Sequence, residues 1–158
     1  VIENAASGGG VGLVAACDLV IASERAWFEW AYLKTGLTGA ESSTFFLPRL
    51  VGWATATELL LSGRVFLAEE AAELGLVKEV VPGDQLMAEA IKLATSIAKQ
   101  PPQSLRVAKQ LLRHGTQATY DTVMEMSAAA QGLMHHTKDH EEGVAAILEK
   151  REPVFKGE

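Results

Sequence analysis

The stretch that decides the fold reads SGGGVGLVAACDLVIA and occupies residues 7–22. Its glycine run is followed by residues 11–16, which are too uniformly apolar for a surface helix and therefore predict a buried one. Residues 19–22 contain two β-branched side chains in a short apolar run, which is typical of a buried strand. The stretch thus predicts a helix that begins in glycine and leads into a strand of the core.

Outward from this stretch, residues 27–30 continue the strand-like character, and the polar residues 34–44 predict a loop that leads into a helix. Residues 76–81 predict one more strand, which Pro82 and Gly83 end in a turn. Apolar residues at helical spacing, with Gly or Pro as stop signals, indicate the remaining helices. They lie around residues 54–61, 68–74, 86–97, 105–112, 120–130 and 144–148.

Composition narrows the class of protein. The chain has 158 residues, 48% of them apolar, 14 glycines and 5 prolines, which supports one hydrophobic core and excludes collagen-like and disordered classes. The net charge is −6 and Lys and Arg form no cluster, so neither nucleic acid nor a membrane surface is an expected partner. A single cysteine, Cys17, forms no intramolecular disulfide and predicts a cytoplasmic protein.

The ends and the apolar runs add two expectations. The longest apolar stretch, residues 11–22, is interrupted by Asp18 and is shorter than the ~20 residues that a spanning helix needs. The sequence begins at Val1 without a basic leader, so we expect a fragment of a longer chain.

Gly8, Gly9 and Gly10 form the strongest candidate site. Glycine lets a ligand approach the backbone, and the unpaired N–H groups of a helix start, with the helix dipole behind them, stabilise a developing anion. A tight turn that needs glycine only for packing explains the same residues equally well. Glu41, in the polar loop, predicts either a proton carrier or an acid that stabilises the start of the next helix.

Three further patterns are weaker. Residues 10–15 fit a loose dinucleotide-binding pattern, but the following helix is too short and Glu24 comes too early for a ribose contact. His136 and His140 lie four residues apart, yet a solvated helix start explains them without a metal. Apolar neighbours of Cys17 predict a buried, structural thiol instead of a nucleophile.

Ordered matches over the whole chain carry a resemblance to a known family. They are residues 5–10, residues 16–23, Phe28, Gly36-Leu37, residues 47–52, Glu58-Leu59, Ser62-Gly63-Arg64, residues 68–71, residues 75–77, Glu142-Gly143 and residues 150–157. In this order they resemble the crotonase, or enoyl-CoA hydratase/isomerase, superfamily. The resemblance covers only the C-terminal portion of a typical member.

The resemblance implies an α/β fold. Residues 1–82 would form part of a crotonase-like spiral of ββα units, and residues 83–158 a helical oligomerisation region, together one truncated structural domain. A homotrimer or a dimer of trimers is implied, acting on an acyl-CoA thioester, with CoA as part of the substrate and no separate cofactor or metal.

The resemblance also assigns site residues. Two backbone N–H groups stabilise the thioester oxygen of relatives as an enolate forms. One would be that of Gly9, flanked by Gly8 and Gly10, and the other belongs to a segment that this sequence lacks. Phe155 and Lys156 match tail residues that approach CoA in relatives, often from a neighbouring subunit.

The acid/base positions depart from the family pattern. Hydratases carry two glutamates where this chain has Gly12 and Tyr32, which argues against hydration by two carboxylates. Relatives with one carboxylate, such as double-bond isomerases and aryl-CoA dehalogenases, place it where this chain has Ala40. Glu41 is next to that position and becomes the sole predicted acid/base. Asn4 replaces the usual glycine before the oxyanion loop.

Two hypotheses follow. In the first, the chain is an acyl-CoA enzyme of the isomerase or hydratase type, with Gly9 as oxyanion donor and Glu41 as acid/base. In the second, it is a non-catalytic fragment that oligomerises or binds acyl-CoA. Whether it is an enzyme depends on the missing N-terminal portion. An upstream coding segment with the second donor favours the first hypothesis, and a start codon directly before Val1 favours the second.

Overall fold

The computed structural model describes all residues, 1–158, and contains five short strands and eight helices. The strands are β1 (Ala5–Ser7), β2 (Ile21–Ser23), β3 (Trp27–Glu29), β4 (Val65–Leu67) and β5 (Glu79–Val81). The helices are α1 (Gly9–Ala16), α2 (Ser43–Val51), α3 (Trp53–Ser62), α4 (Ala68–Glu73), α5 (Leu86–Ala98), α6 (Pro102–Gly115), α7 (Tyr120–Met134) and α8 (Lys138–Glu149). Two 3₁₀ turns span Ala31–Thr35 and Gly83–Gln85.

The strands form two small sheets. β3 is central in a three-stranded sheet, where it pairs in parallel with β1 and antiparallel with β4. β2 and β5 form a second, parallel pair. Parallel neighbours separated by helices give the mixed α/β character that the sequence predicts.

An aromatic stack fixes the central sheet in the core. Phe28 of β3 lies opposite Phe66 of β4, and their ring centroids are 5.5 Å apart. Trp30 also stacks on Phe66, with ring centroids 5.8 Å apart. All three side chains are fully buried, so this cluster supplies much of the apolar area that holds β3 in place.

The chain divides into two compact units, residues 1–91 and 92–158, so the division lies inside α5. The sequence places the boundary at residue 82. The first unit contains both sheets together with α1 to α4, and the second is helical.

The C-terminal tail is anchored within the second unit. Buried Asp139, near the start of α8, accepts hydrogen bonds from the backbone N–H groups of Lys156 at 2.7 Å and Gly157 at 2.8 Å. Gln103 of α6 donates to the Gly157 carbonyl at 2.7 Å. The Phe155 ring lies so close to Gly143 that a Cβ there would be 3.5 Å from it.

Most predicted helices and strands are present, but three features differ from the sequence analysis. β1 and β4 were not predicted, because Ala5-Ala6-Ser7 contains no β-branched or aromatic residue and Val65–Leu67 runs directly into α4. Cys17 is exposed, which corrects its predicted burial: it follows the last residue of α1 and so lies beyond the packed face of that helix.

No helix combines the length and the apolar character that crossing a bilayer requires.

The carboxyl of Glu142 makes the attachment of the tail sensitive to acid. It accepts hydrogen bonds from Arg151 at 2.6 and 2.8 Å and from the Val154 backbone N–H at 2.8 Å, and these lower the pKa of Glu142 to about 2. A carboxyl whose pKa is lowered in the folded state stabilises the fold at pH values above the pKa of the unfolded state, which is ~4.3. That contribution is lost as the pH falls toward 2. We expect the Val154 amide proton shift to titrate with a midpoint near 2. A midpoint in the ordinary range of glutamate would contradict this prediction.

Candidate functional site

The site is built on the first turn of α1. Gly8 precedes the helix with φ 54°, in the left-handed region that favours glycine, and its N–H donates to the Glu29 carbonyl of β3 at 3.1 Å. The sheet thus fixes where α1 begins. Gly9 is the first helical residue, and its N–H has no acceptor within the helix. The helix dipole adds a partial positive charge at the same point.

The carboxylate of Glu41 lies against the backbone of Gly9. A Cβ placed on Gly9 would lie 3.3 Å from the carboxylate carbon of Glu41, and 3.4 and 3.5 Å from its two oxygens. Any side chain at position 9 would crowd this carboxylate. The structure therefore brings together the two residues to which the sequence analysis assigns catalytic roles.

Gly12 provides the second close contact. A Cβ at this position would lie 2.8 Å from Ser43 Oγ and 2.9 Å from Glu41 Cβ, closer than real Cβ atoms approach their neighbours. The side chain of Glu41 thus fills the space beside α1 that a larger residue at position 12 would occupy.

A strained turn places Glu41 there. Glu41 and Ser42 have φ values of 46° and 64°, and the Ser43 N–H closes the turn by donating to the Ala40 carbonyl at 2.9 Å. Left-handed backbone costs ~1–2 kcal/mol for each non-glycine residue, and such strain concentrates at functional sites. Glu41 precedes α2 and lies outside its first turn, where the structure records no acidic residue. Its position therefore does not match that of an acid stabilising the helix start.

Tyr32 holds the carboxylate from the other side. Its hydroxyl donates a hydrogen bond to Glu41 Oε2, and the residue is only 9% exposed. Burial raises the pKa of Tyr32 above its ordinary value and the Glu41 carboxylate raises it further, whereas Ser43 opposes the rise. The phenol therefore keeps its proton at neutral pH. The sequence analysis treats Tyr32 only as a missing glutamate, although a tyrosine there also offers a donor.

A second carboxylate near the glycine run, Glu29, was also missed by the sequence analysis. It pairs with Lys34 and accepts a hydrogen bond from Ser7 at 3.0 Å. The bond from Lys34, followed by that from Ser7, lowers the pKa of Glu29. An anion stabilised in this way is a weak base, so Glu41 is the better candidate for proton transfer.

The other predicted site residues lie elsewhere. A Cβ on Gly10 would have no atom within 4 Å, so the space beside this residue is open. Phe155 and Lys156 lie in the tail of the second unit, with the Lys156 backbone bound to Asp139. His140 contacts His135 at 3.2 Å between ring nitrogens, and no cluster of three or more metal-ligating side chains is formed.

The two glycines of α1 give a matched pair of substitutions. Gly12→Ala should destabilise the protein by ~1–3 kcal/mol, because the new methyl group overlaps Ser43 and Glu41. The methyl group of Gly10→Ala would have no neighbour within 4 Å, so this substitution should stabilise the helix by up to ~1 kcal/mol. Urea unfolding of both variants measures the difference. Equal effects of the two substitutions would mean that the loop does not pack on α1.

Comparison with known proteins finds relatives over the full length of the chain. The enoyl-CoA hydratase/isomerase family model matches residues 1–158. Crotonyl-CoA hydratase of Syntrophomonas wolfei is 37% identical, over 98% of this chain and 59% of the relative, and 1,2-epoxyphenylacetyl-CoA isomerase of Escherichia coli is 36% identical, over 99% and 60%.

A solved enoyl-CoA hydratase from Bacillus anthracis has a TM-score of 0.94 and 40% identity, over 98% of this chain and 60% of that structure. The chain thus spans about 60% of the length of these relatives. Which portion it corresponds to stays a prediction. With the family model matching over its full length, the chain belongs to the enoyl-CoA hydratase/isomerase family.

Proposed function

We propose that this chain carries the enolate-stabilising centre of an acyl-CoA enzyme of the isomerase type, with Gly9 as oxyanion donor and Glu41 as acid/base. The observation that carries the proposal is the contact between the Glu41 carboxylate and the Gly9 backbone. A single thioester group at this point would lie within reach of both. Relatives named as CoA-ester hydratases and isomerases support an acyl-CoA substrate.

The first chemical task is to stabilise charge on the thioester oxygen. Removal of a proton from the carbon beside the thioester moves the electron pair onto this oxygen and forms an enolate. The Gly9 N–H, at the positive end of α1, stabilises that charge. We propose that a segment of the family's usual chain outside these residues supplies the second donor.

The second task is proton transfer. Glu41 takes the proton from the carbon beside the thioester of a 3-enoyl-CoA and returns it to the carbon at the far end of the resulting dienolate. The double bond moves from position 3 to position 2, and the carboxylate is regenerated. Nothing is consumed, so one carboxylate suffices.

Isomerisation fits the residues better than hydration does. Hydration in the family pattern uses two glutamates, and Gly12 and Tyr32 occupy these positions here. Glu29 is already paired with Lys34. Glu41 is therefore the one carboxylate at the glycine run that is not bound to a cation.

The remaining expectations belong to the same proposal. Phe155 and Lys156 would approach the CoA moiety, and the protein would act as a homotrimer or a dimer of trimers. In this arrangement the chain corresponds to the C-terminal portion of the usual family member. These roles rest on the family resemblance.

Replacement of Glu41, in a chain that includes the segment with the second donor, tests the proposal. Glu41→Gln keeps the size of the side chain but accepts no proton, so isomerisation of a 3-enoyl-CoA should fall at least ~10²-fold. Binding of the acyl-CoA, measured by calorimetry, should stay within about threefold, because removing a proton acceptor changes kcat and not ground-state binding.

Glu73→Gln is the matched control, since Glu73 is an exposed carboxylate on α4. It should leave both quantities unchanged. Isomerisation that survives in Glu41→Gln would remove the catalytic role of Glu41. Binding of acyl-CoA without any turnover, in a chain that includes the segment with the second donor, would favour the non-catalytic alternative.

A further inference from the structure

Tyr32 is the one side chain recorded as a hydrogen-bond donor to the Glu41 carboxylate. We propose that Tyr32 is a positioning residue: its protonated phenol binds Oε2 of Glu41, holds the carboxylate against Gly9 and leaves Oε1 to exchange the proton with the substrate. This inference rests on the proposed function and adds to it a residue that the mechanism above does not use.

The backbone of Tyr32 is itself firmly held, as a positioning residue requires. Its carbonyl accepts hydrogen bonds from the Leu37 N–H at 3.0 Å and from Thr35 Oγ1 at 2.9 Å. The 3₁₀ turn that carries it ends at Gly36, which has φ 73°. Because the side chain is also buried, the hydroxyl is presented from a fixed point.

Glu41, in contrast, needs to be held. It lies in an exposed loop, and neither a helix nor a strand fixes its backbone. A glutamate side chain has three rotatable bonds and samples many conformers when it is free. One hydrogen bond to Oε2 selects the conformer in which the carboxylate lies over Gly9.

The charges around the pair make Glu41 the main electrostatic influence on the phenol. α1 contains no charged residue, and Glu41 is the only charged group that shifts the Tyr32 pKa. The other charged side chains of the neighbouring elements are engaged elsewhere: Lys34 with Glu29, Arg49 with the Phe45 carbonyl, and Glu58 with Arg64.

A tyrosinate titration tests the contact without any need for activity. The chain has two tyrosines, so in a Tyr120→Phe background the ultraviolet signal of tyrosinate reports Tyr32 alone. Its midpoint should lie above the ordinary value of about 10 and should move down when Glu41→Gln removes the negative charge. Glu73→Gln should leave it unmoved. A midpoint that Glu41→Gln does not lower would overturn the inference.

The steady-state kinetics of isomerisation, measured on a chain that includes the segment with the second donor, test the catalytic consequence. Tyr32→Phe removes one oxygen from a buried ring, and we expect kcat to fall about tenfold with KM within about threefold, as for loss of a hydrogen bond to a charged group. A loss confined to kcat indicates a misplaced carboxylate, whereas a disturbed binding site would raise KM as well. Tyr120→Phe is the control and should change neither value.

The outcomes separate this inference from the proposed function. If Glu41→Gln abolishes isomerisation while Tyr32→Phe leaves kcat unchanged, the proposed function stands and the positioning role of Tyr32 is wrong. If a chain that includes the segment with the second donor isomerises no 3-enoyl-CoA, the proposed function fails, and the tyrosinate titration decides whether Tyr32 holds the carboxylate. A rise in KM that accompanies the loss of kcat in Tyr32→Phe would point to a structural defect and would also overturn the role.

Discussion

The contact between a strained loop and the bare face of a helix is the constraint on which the candidate site depends. Gly9 and Gly12 lie three residues apart, so they share one face of α1. Without side chains, this face admits Glu41 and Ser43 at distances that a Cβ would prevent. The glycines therefore serve two purposes at once, because one exposes a helix-start N–H and the other makes room for the carboxylate.

This closeness creates an electrostatic conflict. The positive end of α1 attracts any anion, and a carboxylate beside it competes with the oxyanion that the same N–H groups would stabilise. A donor from another element lessens the conflict. Tyr32 provides this donor, and its burial keeps it protonated without adding a positive charge that would bind the carboxylate more tightly.

The parts of the fold that could be predicted are those in which a pattern of apolar residues extends over many positions. The apolar residues after the glycine run predict α1, and helical spacing predicts α5 to α7 with ends displaced by at most four residues. It also predicts α8, which begins six residues earlier than expected. β1 and β4 were missed because the residues of β1 have low β-propensity and those of β4 run directly into α4, so both strands depend on pairing with β3. The exposure of Cys17 was missed because its apolar neighbours Ala15, Ala16 and Leu19 predict burial, whereas Cys17 follows the end of α1 and Leu19 is itself exposed.

The resemblance named candidate residues, but it did not predict the geometry that brings them together. Resemblance pointed to Gly9 and Glu41, yet nothing in the sequence indicates that two non-glycine residues, Glu41 and Ser42, adopt left-handed backbone. The contact between Tyr32 and Glu41 depends on this turn and on the 3₁₀ turn at residues 31–35. Such contacts follow from tertiary packing, which local periodicity does not encode.

Residues 12, 32 and 41 therefore form a set whose members depend on one another. A carboxylate on α1 would be fixed by the helix backbone, whereas a carboxylate on a loop needs both space and an anchor. Gly12 supplies the space, since Glu41 Cβ lies where a side chain of α1 would begin. Tyr32 supplies the anchor through its hydroxyl. A larger residue at position 12 would displace Glu41 and leave the Tyr32 phenol buried without its acceptor, so the two departures from the hydratase pattern are structurally linked through Glu41.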